Sequence, residues 1–444
     1  MNAVNPHAGK LYLHHELSPD ERTSPTFTKI PSIEKLRFGY RCNRCGKQKT
    51  YRFGNMPHST CGQNCRYCRH CIQMGRVMEC EPLYSGSSYV EWPRYEDVLQ
   101  WDGQLTVAQQ RGADAIVHAM TKGEAELLVW AVCGAGKTEM LFPGLAFSLE
   151  SGKRVCLATP RADVVRELVP RLRVAFPDVV IQGLYGDSPD KGTDASFIVA
   201  TTHQLLRYAS AFDVMIIDEM DAFPFHHEES LQFAAKRAAK PGATRIYLTA
   251  TPRKKEKWRV RLKKLPVIFI PKRFHGHPLP VPKLQLNPTL PYHMKRKQLP
   301  ASIVNAIVEQ QQTARQLLVF LPSVQMTEWV AEVLESHSLH AEQVHAGDPE
   351  RIEKVTSFRE KKASLLLTTT ILERGVTFPS VDVFVIDAGH QVFDEAALVQ
   401  IAGRAGRSPD DPDGDVSFYH AGKTNAMLDA HDSIVKMNKL GKGR

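Results

Sequence analysis

The chain has 444 residues, of which 43% are hydrophobic and 24% are charged. These values are ordinary for soluble globular proteins, and the length allows two or three domains, each with its own core. The formal net charge of +9 favours a polyanionic partner. The first residues lack the pattern of a signal peptide, and no apolar run approaches the roughly 20 residues of a membrane span. We therefore expect a cytosolic protein, with any membrane association peripheral.

The N-terminal segment, residues 1 to about 95, is polar and rich in cysteine. Seven of the nine cysteines lie between Cys42 and Cys80, and in a reducing compartment such clustering favours metal binding over disulfides. Two C-x-x-C pairs separated by 22 residues are typical of a closed, structural Zn²⁺ site, and they predict four ligands: Cys42, Cys45, Cys68 and Cys71. The ligand set stays open at this point, because Cys61 or Cys65 could replace one ligand or be a free thiol.

Residues 96–270 alternate short apolar runs with helical patterns. The runs end in polar or turn residues, as buried parallel strands do, and helical crossovers between them produce an α/β sheet. The predicted strands are 127–130, 155–158, 197–200, 214–217 and 246–249.

Six prolines between residues 271 and 291 predict a linker, because proline is excluded from helix interiors and central strands. The α/β alternation then resumes, with predicted strands at 317–320, 365–368 and 383–386, so residues 271–444 form a second unit. The tail after Ser408 is rich in Asp, Pro and Gly before becoming basic, and we expect it to fray.

A glycine-rich loop follows the first predicted strand. Residues 131–138 read Ala-Val-Cys-Gly-Ala-Gly-Lys-Thr, which is a phosphate-binding loop with Ala131 in place of the usual first glycine. Backbone amides around Gly134 and Gly136 would surround the phosphates, Lys137 would reach the β and γ oxygens, and the Thr138 hydroxyl would ligate Mg²⁺.

An acidic pair supplies what this loop lacks. Asp218 and Glu219 follow another predicted strand, 80 residues after Thr138. Asp218 offers a carboxylate to Mg²⁺, and Glu219 offers one that orients or deprotonates water. The combination predicts hydrolysis of a nucleotide. Upstream, the amide of Gln109 could bond an adenine edge, although a glutamine on a helix is more often merely solvated.

A third candidate part of the nucleotide site lies beyond the linker, in Gln400–Arg407. Arg404 and Arg407 are three residues apart, which predicts one helical face. An arginine brought to the γ-phosphate would stabilise charge developing in the transition state, and the glycines of the segment allow close backbone approach. The alternative is a basic surface helix.

In order and spacing, these segments resemble the motifs of superfamily 2 helicases from about residue 100 to 407. The resemblance implies two RecA-like domains that clamp ATP between them and grip a nucleic-acid backbone. It adds Gly375 and Gln400 to the nucleotide site with Gln109. It also assigns nucleic-acid contacts to Thr159, Arg161, Thr202, Thr369 and Thr370. Residues 249–251, Thr-Ala-Thr, resemble the motif that couples the two halves.

Two further segments resemble the ComFA family, the competence ATPases of Gram-positive bacteria. They are 67–77 (Tyr-Cys-Arg-His-Cys-Ile-Gln-Met-Gly-Arg-Val) and 218–225 (Asp-Glu-Met-Asp-Ala-Phe-Pro-Phe). The resemblance covers about 40 to 407. It implies a motor that uses ATP to act on single-stranded DNA during uptake in natural transformation. It also implies that the protein acts at the inner face of the cell membrane, with ComEC and ComFC as partners. Whether the chain forms a homo-oligomer stays open.

We therefore predict an α/β protein with two RecA-like parallel-sheet domains in tandem, residues 96–270 and 271–444. They follow an N-terminal region, residues 1–95, that contains a small four-cysteine zinc module at about 40–80. Its cofactors are predicted to be ATP, Mg²⁺ and Zn²⁺. Eight basic residues crowd 253–264 and would attract a phosphate backbone, or else form a solvated helix. Two other functions stay open: a duplex-unwinding helicase of the replication-restart type, and a DNA-binding scaffold that ATP switches without being hydrolysed.

Overall fold

A computed structural model describes residues 6–87, 91–123, 126–190, 192, 194–373 and 378–442. The chain divides into two compact units. The first contains Met1–Leu105, Gln110–Val129 and Thr138–Ile268, and the second contains Thr106–Gln109, Trp130–Lys137 and Phe269–Arg444. The main division thus falls between residues 268 and 269, and the boundary after residue 270 stays a prediction. Every helix within the described residues is too short or too polar to span a membrane.

The N-terminal segment of the first unit is built from small antiparallel sheets. The strands β1 and β2 flank β7 in one sheet, β3 pairs with β4, and β5 pairs with β6. The elements are β1 (Leu11–Tyr12), α1 (Pro19–Thr23), β2 (Phe27–Ile30), β3 (Ile33–Lys35), β4 (Tyr40–Cys42), β5 (Phe53–Pro57), β6 (Asn64–Cys68) and β7 (Leu83–Gly86).

A seven-stranded sheet follows, in the order β10-β11-β9-β12-β13-β8-β14, with parallel pairing from β10 to β13. The elements are α2 (Val107–Lys122), β8 (Glu126–Ala131), α3 (Lys137–Glu150), β9 (Val155–Thr159), α4 (Ala162–Ala175), β10 (Ile181–Leu184), β11 (Phe197–Thr201), β12 (Phe212–Ile217), α5 (Glu229–Ala238), β13 (Ala239–Thr249), α6 (Lys254–Arg261) and β14 (Val267–Ile270).

The N-terminal segment and the large sheet of the first unit share one hydrophobic core. This core joins the four paired cysteines and Leu83 to Ile198, Phe212 and Leu231 of the sheet and its helices. Burial of apolar surface contributes roughly 25 cal/mol per Å², so the cysteine-rich segment and the sheet stabilise each other.

The second unit contains a six-stranded sheet in the order β15-β20-β19-β16-β18-β17, in which every pair is parallel. The elements are β15 (Lys283–Leu286), α7 (Leu290–Lys295), α8 (Ala301–Gln311), β16 (Gln316–Phe320), α9 (Val324–Glu335), β17 (Glu342–Val344), α10 (Arg351–Arg359), β18 (Leu365–Thr368), β19 (Val381–Ile386), α11 (Glu395–Ala402), β20 (Val416–His420) and α12 (Asn425–Lys442).

All eight predicted strands are confirmed, as are the two parallel sheets. The central strands β16 and β19 are buried at every residue, as the apolar runs predicted. Two expectations were wrong. The proline-rich stretch is not wholly a linker, because Lys283–Leu286 form the edge strand β15, where proline neighbours are tolerated. Up to residue 442 the tail is ordered, because β20 lies inside the sheet and α12 follows it.

Candidate nucleotide site and cysteine cluster

The phosphate loop, residues 131–137, adopts the backbone that its glycines allow. Gly134 and Gly136 have φ angles of +75° and +71°, a region that favours glycine. The Gly134 carbonyl accepts a hydrogen bond from the Phe274 amide at 3.0 Å. Lys137 is the first residue of α3, so the loop opens directly into a helix N-terminus, where amides and the helix dipole favour phosphate.

Gln109 supports this loop. Its side chain accepts from the Thr106 amide at 2.8 Å and donates to the Ala135 carbonyl at 3.0 Å. The residue is buried. Gln109 therefore ties the start of α2 to the phosphate loop, and its contact with adenine stays a prediction.

Within the second unit, the end of α11 lies against the loop. The Cys133 thiol donates to the Gln400 side-chain oxygen at 3.0 Å. A Cβ on Gly403 would come within 2.6 Å of the Cys133 Cβ, so only glycine permits this approach. The glycine therefore lets the end of α11 approach the loop closely.

The prediction that Arg404 and Arg407 share a helical face was wrong. Helix α11 ends at Ala402 with Gly403 as its C-cap; Arg404 lies in the turn that follows and Arg407 directly after that turn. Arg404 is buried and its Nε donates to the Glu373 carbonyl at 3.1 Å. The Arg407 Nε donates to the Gly403 carbonyl at 3.0 Å. Hydrogen bonds to backbone carbonyls therefore fix the positions of both arginines.

Sequence reasoning missed Arg273, which lies in the proline-rich stretch. It is 2% exposed, and its guanidinium donates to the Ala405 carbonyl at 2.8 Å and to the Gly406 carbonyl. Burial, with the nearby Arg407 charge, lowers the pKa of Arg273 to about 10. Arg273 therefore braces the arginine turn, and an arginine between prolines carries no sequence signal of that role.

In the first unit, polar residues gather at the carboxyl edge of the large sheet. Strand β9 ends at Thr159, which is in register with Thr201 at the end of β11, and Asp218 directly follows β12. The Asp218 amide donates to the Ala158 carbonyl at 2.8 Å. Glu219 adopts a φ of +50°, and its amide donates to the Asp218 carboxylate at 2.9 Å. Ligands of open α/β sheets bind at this edge.

Asp221 connects the acidic segment to the end of β13. Its carboxylate accepts hydrogen bonds from the hydroxyls of Thr249 and Thr251, and the residue is 1% exposed. The Arg253 guanidinium also donates to its carbonyl at 2.9 Å. These bonds fix residues 249–251 to the acidic segment within the first unit, and their coupling role stays a prediction.

The candidate nucleic-acid residues differ in exposure. Thr159 and Thr202 are buried, and among the described residues their hydroxyls have no hydrogen-bond partner. Both residues are 0% exposed, so their contact with a nucleic-acid strand stays a prediction. Arg161, Thr369 and Thr370 are partly exposed, and Arg161 forms a two-point ion pair with Asp163. Gly375 and its neighbour Arg374 lie outside the described residues.

Helix α6 has an exposed basic surface that carries an aromatic ring. None of its residues is buried, and Trp258 is 58% exposed. The Lys264 ammonium lies 5.9 Å from the Trp258 ring centroid. Aromatic rings among basic side chains are typical of surfaces on which single-stranded bases stack.

The paired cysteines form one compact cluster. Their sulfur atoms lie within 4.8 Å of one another, with Cys42–Cys71 at 3.8 Å and Cys45–Cys68 at 3.6 Å. A Zn²⁺ ion bound by four thiolates at about 2.3 Å requires sulfur separations of about 3.8 Å. All four residues are at most 1% exposed. The cluster therefore fits a closed structural metal site, and Cys61 and Cys65 are not part of it.

Arg237 of α5 anchors this cluster to the large sheet. Its guanidinium donates to the carbonyls of Asn43 and Arg44 in the first knuckle, and also to those of Leu205, Leu206 and Tyr208. Burial, with the Arg44 charge, lowers the pKa of Arg237 to about 10. One partly buried side chain thus joins the cysteine module to the segment that follows β11 of the large sheet.

The two parallel sheets, the phosphate loop, the acidic segment and the arginine turn define a superfamily 2 helicase-like protein, a class that indicates ATPase activity. Family models match in the same order. The "Competence protein ComFA N-terminal domain" matches residues 10–85, "Type III restriction enzyme, res subunit" matches 102–254, and "Helicase conserved C-terminal domain" matches 298–409.

The chain belongs to the ComFA family of competence proteins. It is 47% identical to "Competence protein ComFA" of Bacillus subtilis over 92% of this chain and 87% of that protein. It is 38% identical to the Streptococcus pneumoniae protein of the same name over 97% of both. Saccharomyces cerevisiae Dbp5, solved with RNA and ADP BeF3, shares the fold, with a TM-score of 0.51, 16% identity and coverage of 75% of this chain and 91% of that one.

Proposed function

We propose that this protein is a DNA-stimulated ATPase that moves along single-stranded DNA and drives DNA uptake during natural transformation. Lys137 and Thr138 bind phosphates and Mg²⁺, Asp218 holds the metal, and Glu219 activates water. Arg404 and Arg407 stabilise the transition state, while Gln109, Gly134, Gly136, Gly375 and Gln400 bind the nucleotide. Membership of the ComFA family supports the assignment to competence.

One observation carries the motor function: the buried bonds from Thr249 and Thr251 to Asp221. Asp221 lies two residues after Glu219, and Thr251 leads into the basic helix α6. A change at the acidic pair during hydrolysis therefore reaches a surface suited to DNA through one polar contact. Such a contact is the kind of two-state element that couples hydrolysis to movement.

We assign the DNA contacts to two groups of residues. The first is α6 with Trp258, which offers stacking and positive charge. The second consists of the partly exposed Arg161, Thr369 and Thr370. The resemblance also assigns Thr159 and Thr202 to DNA, and because both are buried they require a rearrangement to reach it. Contacts of this kind position a strand by its phosphates without reading its sequence.

We also propose that the four-cysteine cluster holds Zn²⁺ and that the protein works at the inner face of the membrane with ComFC and ComEC. The chemistry and spacing of the cluster support the zinc ion. The partners rest on family membership alone. Pull-down of each partner by the purified chain tests them, and oligomeric state is measured in the same samples by light scattering.

The deciding experiment measures ATP turnover with single-stranded DNA, duplex DNA and RNA in parallel. We expect single-stranded DNA to raise turnover most. A strand-displacement assay separates the translocase from a duplex-unwinding helicase, since only the latter separates strands. Absence of turnover at saturating single-stranded DNA would overturn the motor and favour an ATP-switched scaffold.

A further inference from the structure

A second group of metal-binding side chains lies at the tip of the β5–β6 hairpin. Ligand atoms of His58, Cys61 and Cys80 lie within 4.8 Å of one another. The Cys61 and Cys65 sulfur atoms are 3.0 Å apart, and the Cys80 sulfur lies 3.2 Å from His58 Nδ1. Two thiols and one imidazole thus form a compact group, and the Cys65 thiol adjoins it through Cys61.

This group is distinct from the first cluster for a geometric reason. Side chains alternate between the two faces of a strand, so residues three apart point in opposite directions. Cys65 and Cys68 are three apart on β6, opposite Met56 and Phe53 of β5 respectively. Cys68 therefore joins the first cluster, while Cys65 faces the second group.

The local backbone holds the second group together. In the turn from His58 to Gln63, the His58 amide donates to the Gln63 carbonyl at 3.0 Å, and the Gly62 amide donates to the His58 carbonyl at 2.9 Å. The segment that carries Cys80 is fixed to β6, because the Glu79 amide donates to the Arg66 carbonyl at 2.8 Å. The ligands are thus presented by two backbone segments that already contact each other.

The environment of His58 matches that of a metal-bound histidine. Its Nδ1 faces the thiols, and its Nε2 lies 3.6 Å from the Glu81 carboxylate. The side chains of both residues are 15% exposed. A carboxylate on the distal ring nitrogen orients a ligating histidine and raises its basicity, and such partners accompany most zinc-bound histidines.

We propose that His58, Cys61, Cys65 and Cys80 bind a second Zn²⁺ ion, in a Cys₃His site at the hairpin tip. Zinc bound to sulfur at about 2.3 Å and nitrogen at about 2.0 Å has ligand separations of about 3.5–3.8 Å. To complete the site, the 3.0 Å Cys61–Cys65 separation has to widen by less than about 1 Å. The Cys65 sulfur also has to move into the group that His58, Cys61 and Cys80 already form within 4.8 Å. The ion would pin the hairpin tip to the segment carrying Cys80.

Zinc content of the full chain, purified under reducing conditions, tests this site. We expect about two ions per chain, and one fewer after Cys61→Ser with Cys65→Ser or after His58→Ala. His58→Cys should restore the ion, because four thiolates also bind zinc. Ser59→Ala, in the same turn, is the matched control and should keep both ions.

Folding is checked in the same variants, since Cys68 of the first cluster lies on the same hairpin. Cys71→Ser removes the ion of the first cluster. A variant of the second group that still binds this first ion therefore has a folded hairpin. Replacement by Co²⁺ should add a second set of sulfur-to-cobalt charge-transfer bands, absent in the Cys61 and Cys65 double variant. One ion per chain, unaffected by these substitutions, would overturn the proposal, as would a Cys61–Cys65 disulfide in the reduced protein.

Discussion

The Thr251 hydroxyl donates a hydrogen bond of 2.6 Å to the buried carboxylate of Asp221. Thr249 donates to the other carboxylate oxygen, so both oxygens of a side chain that is 1% exposed are satisfied by hydroxyls. A buried charge without such partners is costly. These two hydrogen bonds therefore fix the acidic segment against the end of β13.

We expect Thr251→Val to lower the stability of the first unit by about 1–3 kcal/mol, because a buried acceptor loses its donor. Thermal unfolding followed by circular dichroism measures this loss. Thr121→Val is the control, since the Thr121 hydroxyl bonds its own exposed helix. Thr251→Val should also reduce DNA-stimulated ATP turnover by a larger factor than it reduces basal turnover. Equal stability of Thr251→Val and Thr121→Val would contradict the role of the contact.

We expect Lys137→Ala to reduce ATP turnover to background while DNA binding is largely kept, because Lys137 is assigned only to phosphate. Turnover and fluorescence anisotropy with a labelled single strand measure the two effects. Lys122→Ala, at the exposed end of α2, is the control. Normal turnover in the Lys137 variant would exclude the loop as the catalytic site.

We expect Arg407→Ala to lower kcat by about a thousandfold with little change in KM, as for arginines that stabilise a transferring phosphoryl group. Arg407 is preferred to Arg404 for this test because Arg404 is buried and its loss would disturb the turn. Arg359→Ala, on the exposed face of α10, controls for loss of charge. A rise in KM alone would assign Arg407 to ground-state binding instead.

We expect Trp258→Ala to weaken binding of single-stranded DNA by about 1–3 kcal/mol, or roughly 5- to 150-fold, because a base loses its stacking partner. Anisotropy titrations at a fixed salt concentration provide the measurement. Tyr292 of α7 is equally exposed at 58%, so Tyr292→Ala is the matched control. Equal affinities of the two variants would remove α6 from the DNA path.

We expect Cys71→Ser to lose one zinc ion per chain and to lower the melting temperature of the first unit. The reason is that the cluster belongs to the same core as the large sheet. Cys156→Ala also removes a buried thiol from that core and should destabilise the protein while keeping its zinc. Chelation should reproduce the effect of Cys71→Ser. A zinc content unchanged by that substitution would exclude Cys71 as a ligand.

The elements carried by local patterns were predictable. Eight apolar runs predicted eight strands, because a strand buried on both faces must be apolar throughout. The phosphate loop and the Asp218 and Glu219 pair were found because their chemistry needs fixed residue types at short spacing. The C-x-x-C spacing likewise indicates a metal site by itself.

Other features depend on residues far apart in the chain, and only folding brings them together. Strand β20 escaped prediction because its place in the sheet is set by its neighbours β15 and β19. Arg273 bonds Ala405 and Arg237 bonds Asn43, and each pair is well over a hundred residues apart in the chain. The sequence around either arginine contains no motif that predicts these bonds. The cysteines show the division best. Their number and spacing indicate metal, but strand alternation at Cys65 and Cys68 sorts them into two groups, because a side chain's direction is fixed by the backbone that carries it.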